Sequence, residues 1–148
     1  MSLSPSARPS VLLVDDNHDG LIARRSLLEE QGYRVQIANN GEEGLKLVQT
    51  DAFDVVVTDF KMPRMDGAEL IKRIRQINPK IPVILLSGFV DPLGLTEEGT
   101  GADAVLPKSA NEPAHLVRWV KRLVNRAYSR KPPVSQKRSV TRARVNVR

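Results

Sequence analysis

Cysteine is absent from the 148 residues, aromatic residues make up only 4%, and no apolar run approaches the ~20 residues a membrane-spanning helix needs. The first absence excludes disulfides and thiolate metal sites and agrees with a reducing cytoplasm. The second means that the core, drawn from a hydrophobic content of 41%, must be aliphatic. The third implies no membrane-embedded part. Residues 1–9 lack the basic start and apolar stretch of a signal peptide and read as a flexible leader. Glycine-rich phosphate loops and internal repeats are missing too.

Acidic residues are lacking from one region only. The net charge is +6, but of the 23 Lys and Arg residues seven lie in 129–148, where there is no Asp or Glu. The remaining 16 basic residues face 17 acids, a net of −1, so the basicity belongs to a C-terminal tail and the folded part is near neutral. Within that tail Thr141, Ala143, Val145 and Val147 alternate with Arg142, Arg144, Asn146 and Arg148, which is strand periodicity. It raises the expectation that the tail pairs as a strand or supports a dimer.

Between leader and tail, residues 10–128 show strand and helix signals alternating five times. Residues 11–14 (VLLV), 55–58 (VVVT) and 81–86 (IPVILL) are short apolar runs of the buried parallel type, whereas 33–38 alternates. A helix over 19–31 carries Leu21, Ile22, Leu27 and Leu28 inward and Arg24, Arg25, Glu29 and Glu30 outward. Asn40 with Glu43 predicts a capping box opening a helix over 41–50. Leu70, Ile71, Ile74 and Ile77 stripe the third helix. A short helix over 92–99, a strand over 104–106 and a final helix over 111–127 complete the pattern; Leu116, Val120, Leu123 and Val124 form the last helix's buried face. Such alternation predicts an α/β fold, one parallel sheet with helices on both faces, whose ligands bind at the carboxyl ends of the strands.

Those ends carry an unusual set of side chains. The first strand runs into Asp15 and Asp16, the third into Asp59, the fourth into Ser87 and Gly88, and the fifth into Pro107 and Lys108. Three converging carboxylates repel unless one is protonated or a cation is present. Oxygen donors without His or Cys suit a hard ion such as Mg²⁺. Lys108 adds a point charge and Ser87 a hydroxyl donor, so the cluster can clamp a phosphoryl group, with an aspartate as nucleophile.

VLLVDD at 11–16, VVVTDFKMPRMDG at 55–67, VILLSG at 83–88 and GADAVLPK at 101–108, in this order, resemble the receiver domain of two-component response regulators. The resemblance spans about residues 10–127 and implies a flavodoxin-like sheet ordered 2-1-3-4-5. It implies Asp59 as phosphoacceptor, with Lys108 and Ser87 contacting the phosphoryl group. Asp16 would be a direct Mg²⁺ ligand, Asp15 would act largely through water, Asp59 would share the metal, and the Lys61 backbone carbonyl would complete the protein ligands. A histidine kinase or phosphotransfer protein would supply the phosphoryl group, and an unidentified output protein would receive the signal. Two positions depart from the family pattern: Val105 stands where an aromatic switch residue is usual, and Ser109 where a proline often follows the lysine. The 20 residues after Tyr128 are too few for a DNA-binding output domain, which leads to the expectation of a stand-alone receiver with no such domain. The rival readings are a degenerate or nucleic-acid-associated receiver working through its tail, and a phosphatase, against which the absence of an Asp-x-Asp pattern after the first strand counts.

Overall fold

The computed structural model describes residues 8–88 and 94–130, with side chains through residue 126. In chain order the elements are β1 (Ser10–Val14), α1 (His18–Glu30), β2 (Arg34–Ala38), α2 (Gly41–Thr50), β3 (Val55–Asp59), α3 (Gly67–Ile77), β4 (Val83–Ser87), α4 (Glu97–Thr100), β5 (Ala104–Pro107) and α5 (Glu112–Arg130). The strands form one sheet ordered β2-β1-β3-β4-β5, and every pairing is parallel. The α/β fold and the 2-1-3-4-5 order expected from the sequence are therefore present.

Neighbouring side chains on a strand point to opposite faces, and here both faces are apolar. Val11 and Leu13 of β1, Val55 and Val57 of β3, and Ile84 and Leu86 of β4 pack under α1 and α5, meeting Leu21, Leu28, Leu116, Val120, Leu123 and Val124. Leu12, Val14, Val56, Val83 and Leu85 face the other way, against Val48, Leu70, Ile71 and Ile74 of α2 and α3. The centre of the sheet is thus dry on both sides, which locks its register. A one-residue slip would exchange the two cores. The strand ends are held at one level: Asp59 lies opposite Leu86, and Ser87 opposite Pro107.

Side chains close the element ends. Asn17, Asn40 and Asp66 cap α1, α2 and α3 by accepting from the backbone N–H of Gly20, Glu43 and Glu69. Glu43 reaches back as a capping-box partner, but to the N–H of Asn39 rather than that of Asn40. At the opposite end of the sheet Arg75 ties α3 to the strands. It donates to Gly101 O at 2.9 Å and pairs at 3.1 Å with Asp103, whose carboxylate also accepts from Val83 N–H at 2.8 Å.

Several sequence expectations are corrected. The expected helix over 92–99 is a single turn at Glu97–Thr100, with left-handed glycines at Gly94 (φ 85°) and Gly101 (φ 82°) on either side. Residues 89–93 lie outside the described ones. The last helix runs on to Arg130, beyond the expected end at 127. Ile77, assigned to the buried stripe of α3, is 42% exposed, because it ends the helix where the sheet no longer covers it. Residues 1–7 of the leader and 131–148 of the tail, including the alternating stretch at 141–147 and its expected strand pairing, lie outside the described residues.

The turn from β3 into α3 is the tightest passage. Gly67 donates to Phe60 O at 2.7 Å, and a Cβ on Gly67 would lie 2.4 Å from Asp59 O, 2.7 Å from Leu85 Cδ1 and 2.9 Å from Phe60 Cα. Two of these three atoms are backbone and cannot step aside. Gly67→Ala is therefore expected to cost about 2–3 kcal/mol in chemical denaturation. A midpoint equal to that of the wild type would contradict this packing.

Candidate functional site

Each parallel strand delivers its last residue to the same rim of the sheet. There Asp15, Asp16, Asn17, Asp59, Lys61, Gly88 and Lys108 line an open cleft of about 340 Å³. Of the strand-end residues singled out from the sequence, Asp15, Asp16, Asp59, Gly88 and Lys108 line it, as does Lys61, whereas Ser87 and Pro107 do not. Ser87 ends β4, half-buried, and its carbonyl accepts from Lys108 N–H at 2.9 Å, which fixes β5's end beside β4. Lys61 is exposed on the far lip, two residues beyond β3. Val105 is half-buried against the α3 side of the core, and its N–H donates to the Glu97 carboxylate at 3.0 Å, so α4 covers a donor on the free edge of β5.

Carboxylate oxygens of Asp15, Asp16 and Asp59 lie within 4.8 Å of one another. Asp16 is exposed, but Asp15 and Asp59 are only 2% and 5% exposed. Asp15 Oδ1 accepts from Asn17 N–H at 3.0 Å, and Oδ2 accepts from Arg24 Nη1 at 2.9 Å. Lys108 Nζ approaches Asp59 Oδ1 to 2.6 Å as an ion pair. Apart from that ammonium, this buried Oδ1 has no hydrogen-bond partner among the described residues. Burial pushes the Asp59 carboxyl up to about 6; Asp15 adds to the rise, while Lys108 and Arg24 oppose it.

Arg24 and Glu112 were missed in the sequence reading. Arg24 had been placed on the outer face of its helix. Instead its side chain is 14% exposed and is held between Asp15 and Glu112, donating through Nη2 to Glu112 Oε1 at 2.9 Å and through Nε to Oε2 at 3.3 Å. Burial works to lower the guanidinium pKa, but the two carboxylates more than offset this and hold it above its ordinary value. The signal was available: Arg24 lies three residues after Leu21 and four before Leu28, on the buried stripe, and the buried Asp15 needed a counter-charge.

These residues fit a hard divalent cation. The donors are all oxygen, they converge, and the buried Asp59 Oδ1 is met by the Lys108 ammonium with no hydrogen-bond donor besides. Asp15, Asp16 and Asp59 are the side chains that would hold it.

Residues 11–121 match the family described as the response regulator receiver domain, and the chain belongs to that family. A response regulator receiver protein of Anaeromyxobacter sp. is 38% identical over 106 residues, covering 71% of this chain and 44% of that protein. Transcriptional regulatory protein ZraR of Klebsiella oxytoca is 40% identical over 79 residues, 53% of this chain and 18% of that protein. Among solved structures, the receiver domain protein from Methanospirillum hungatei superposes with a TM-score of 0.78 at 28% identity, covering 84% of this chain and all of that one. The response regulator protein TrrA from Thermotoga maritima, solved in complex with Mg²⁺-BeF, gives a TM-score of 0.70 at 32% identity, covering 78% of this chain and 98% of that one. The chain is thus a receiver domain of the two-component response regulator type, a signalling fold. Among the described residues no helix is long and apolar enough to cross a membrane.

The relatives correct one expectation. A stand-alone receiver without a DNA-binding output domain had been inferred from the few residues after Tyr128. Relatives that match it include transcriptional regulatory proteins, and the chain spans less than half the length of the two relatives above. The length of the chain is therefore no ground for excluding a transcriptional output.

Asp59 titrates above its ordinary value of 3.8, so folding favours its protonated form. The stability it contributes is full below about pH 3.8 and is lost as pH rises through about 6. In metal-free buffer Asp59→Asn is expected to melt a few degrees above the wild type at neutral pH, on the order of 1 kcal/mol or more, with the gap closing towards pH 4. A gap that is absent, or unchanged by acid, would contradict the desolvated-carboxyl reading.

Proposed function

We propose that Asp59 is the phosphoacceptor of this receiver and that the acidic cluster takes Mg²⁺ to support the transfer. The buried Oδ1 of Asp59, met by Lys108 Nζ in a cleft walled by two further carboxylates, carries the reading. A carboxylate raised to about 6 is still largely ionised at neutral pH, so it can act as the nucleophile without an added base. One Asp59 oxygen attacks the phosphorus of a phosphohistidine donor, a P–O bond forms, and the P–N bond breaks with its electron pair left on the imidazole. Lys108, already 2.6 Å from the acceptor carboxylate, pairs with the charge on the transferred group. Ser87, beside Gly88 at the end of β4, offers a hydroxyl donor, and the Lys61 carbonyl would be a further oxygen ligand. When bound, Mg²⁺ supplies the positive charge that lets three carboxylates and a phosphoryl group share one cleft.

Support for Mg²⁺ comes from the all-oxygen donor set and from the related TrrA, solved with Mg²⁺-BeF. The domain is read as signalling rather than as an enzyme acting on small phosphoesters.

Incubation with a small phosphodonor and Mg²⁺ is expected to add one phosphoryl group by intact mass to the wild type and none to Asp59→Asn. Lys108→Ala is expected to label more slowly by about tenfold or more. Equal labelling of wild type and Asp59→Asn would overturn the assignment.

A further inference from the structure

A glycine in the first turn of a helix costs backbone entropy without helping the cap, which Asn17 already provides. Gly20 has a specific use. A Cβ there would stand 3.1 Å from Arg24 Nη1 and 3.4 Å from Asp15 Oδ2, so its absence leaves the space in which guanidinium and carboxylate meet. Beyond that contact the same guanidinium grips both oxygens of Glu112, the first residue of α5 and itself only 7% exposed. One cation is thus divided between a carboxylate that lines the cleft and one that starts a helix on the α1 side of the sheet.

We propose that Arg24 is a positioning residue that sets how much charge Asp15 offers to the cation and carries the site's occupancy to the start of α5 through Glu112. The inference rests on the cation reading above. A divalent ion and Arg24 compete for the negative charge of Asp15, and Glu112 is where the guanidinium goes when the ion wins. Whatever strengthens the Arg24–Glu112 pair therefore strengthens the ion, and by linkage the ion strengthens that pair. The planar fork of Arg24 suits this exchange because it can hold Glu112 at two atoms while letting go of Asp15 at the third.

The test is a Mg²⁺ titration of the full chain by calorimetry, joined to hydrogen exchange over the first turns of α5. Glu112→Gln leaves Arg24 committed to Asp15 and is expected to weaken Mg²⁺ by about fivefold. Gly20→Ala crowds Arg24 away from Asp15, and Arg24→Gln removes its charge; both are expected to tighten Mg²⁺. Gly20→Ala keeps every charged group, so the comparison stands even if Arg24→Gln fails to fold. In the wild type Mg²⁺ is expected to slow exchange at the start of α5, and in Glu112→Gln it is expected to have no such effect. A purely structural role would lower melting temperatures without producing these opposite shifts. If Glu112→Gln and Gly20→Ala both bind Mg²⁺ like the wild type, the inference is overturned and the cation reading stands. If the wild type itself binds no Mg²⁺ at millimolar concentration, the cation reading falls and this inference with it.

Discussion

Two neighbouring carboxylates, Asp15 and Asp59, are buried at the ends of central strands with an exposed third, Asp16, beside them. Desolvated charges of one sign cost free energy unless they are compensated, and the surroundings of the cleft can be understood as partial compensation. Lys108 is brought in by β5 to face Asp59, Arg24 by α1 to face Asp15, and the Asn17 amide by the α1 cap. The compensation is incomplete: burial outweighs Lys108 and Arg24, and the Asp59 carboxyl sits at about 6. Such a residue persists because the sheet over-determines it, and the remaining negative charge is what a hard cation and a phosphoryl group can use.

The apolar architecture makes that possible. β1, β3 and β4 are dry on both faces, so their ends cannot shift to relieve the repulsion. Gly67 lets the N-terminus of α3 pass within contact of Asp59's own backbone, closing the rim from the α3 side. On the other face Arg24 links the rim to α5. The strands that bury Asp59 also raise the cost of its charge.

Much of this was legible from residue patterns. Short apolar runs that stop at Asp15, Asp59, Ser87 and Lys108 already placed four strand ends on one edge, and βα alternation required that edge to be the binding edge. Strand order came from family resemblance, since no residue pattern specified which strands are neighbours. What escaped was the second layer of charge. Periodicity reads Arg24 as an outward polar residue, and only the requirement that a buried Asp15 have a partner would have turned it inward. Glu112 escaped because its partner is 88 residues away in sequence. The α4 segment was misjudged because Gly94 and Gly101 take left-handed conformations that stop a helix short, which composition alone does not show. Ile77 followed the stripe but lay past the edge of what the sheet covers.

Whether Asp59 is a desolvated carboxyl held ready for a cation is read directly by its side-chain titration. Carbon-13 detection of the Asp59 carboxyl across a pH series, without and with saturating Mg²⁺, is expected to show a midpoint of about 6 in the metal-free protein and a large downward move when Mg²⁺ is added. A midpoint at the ordinary aspartate value, unmoved by Mg²⁺, would contradict it.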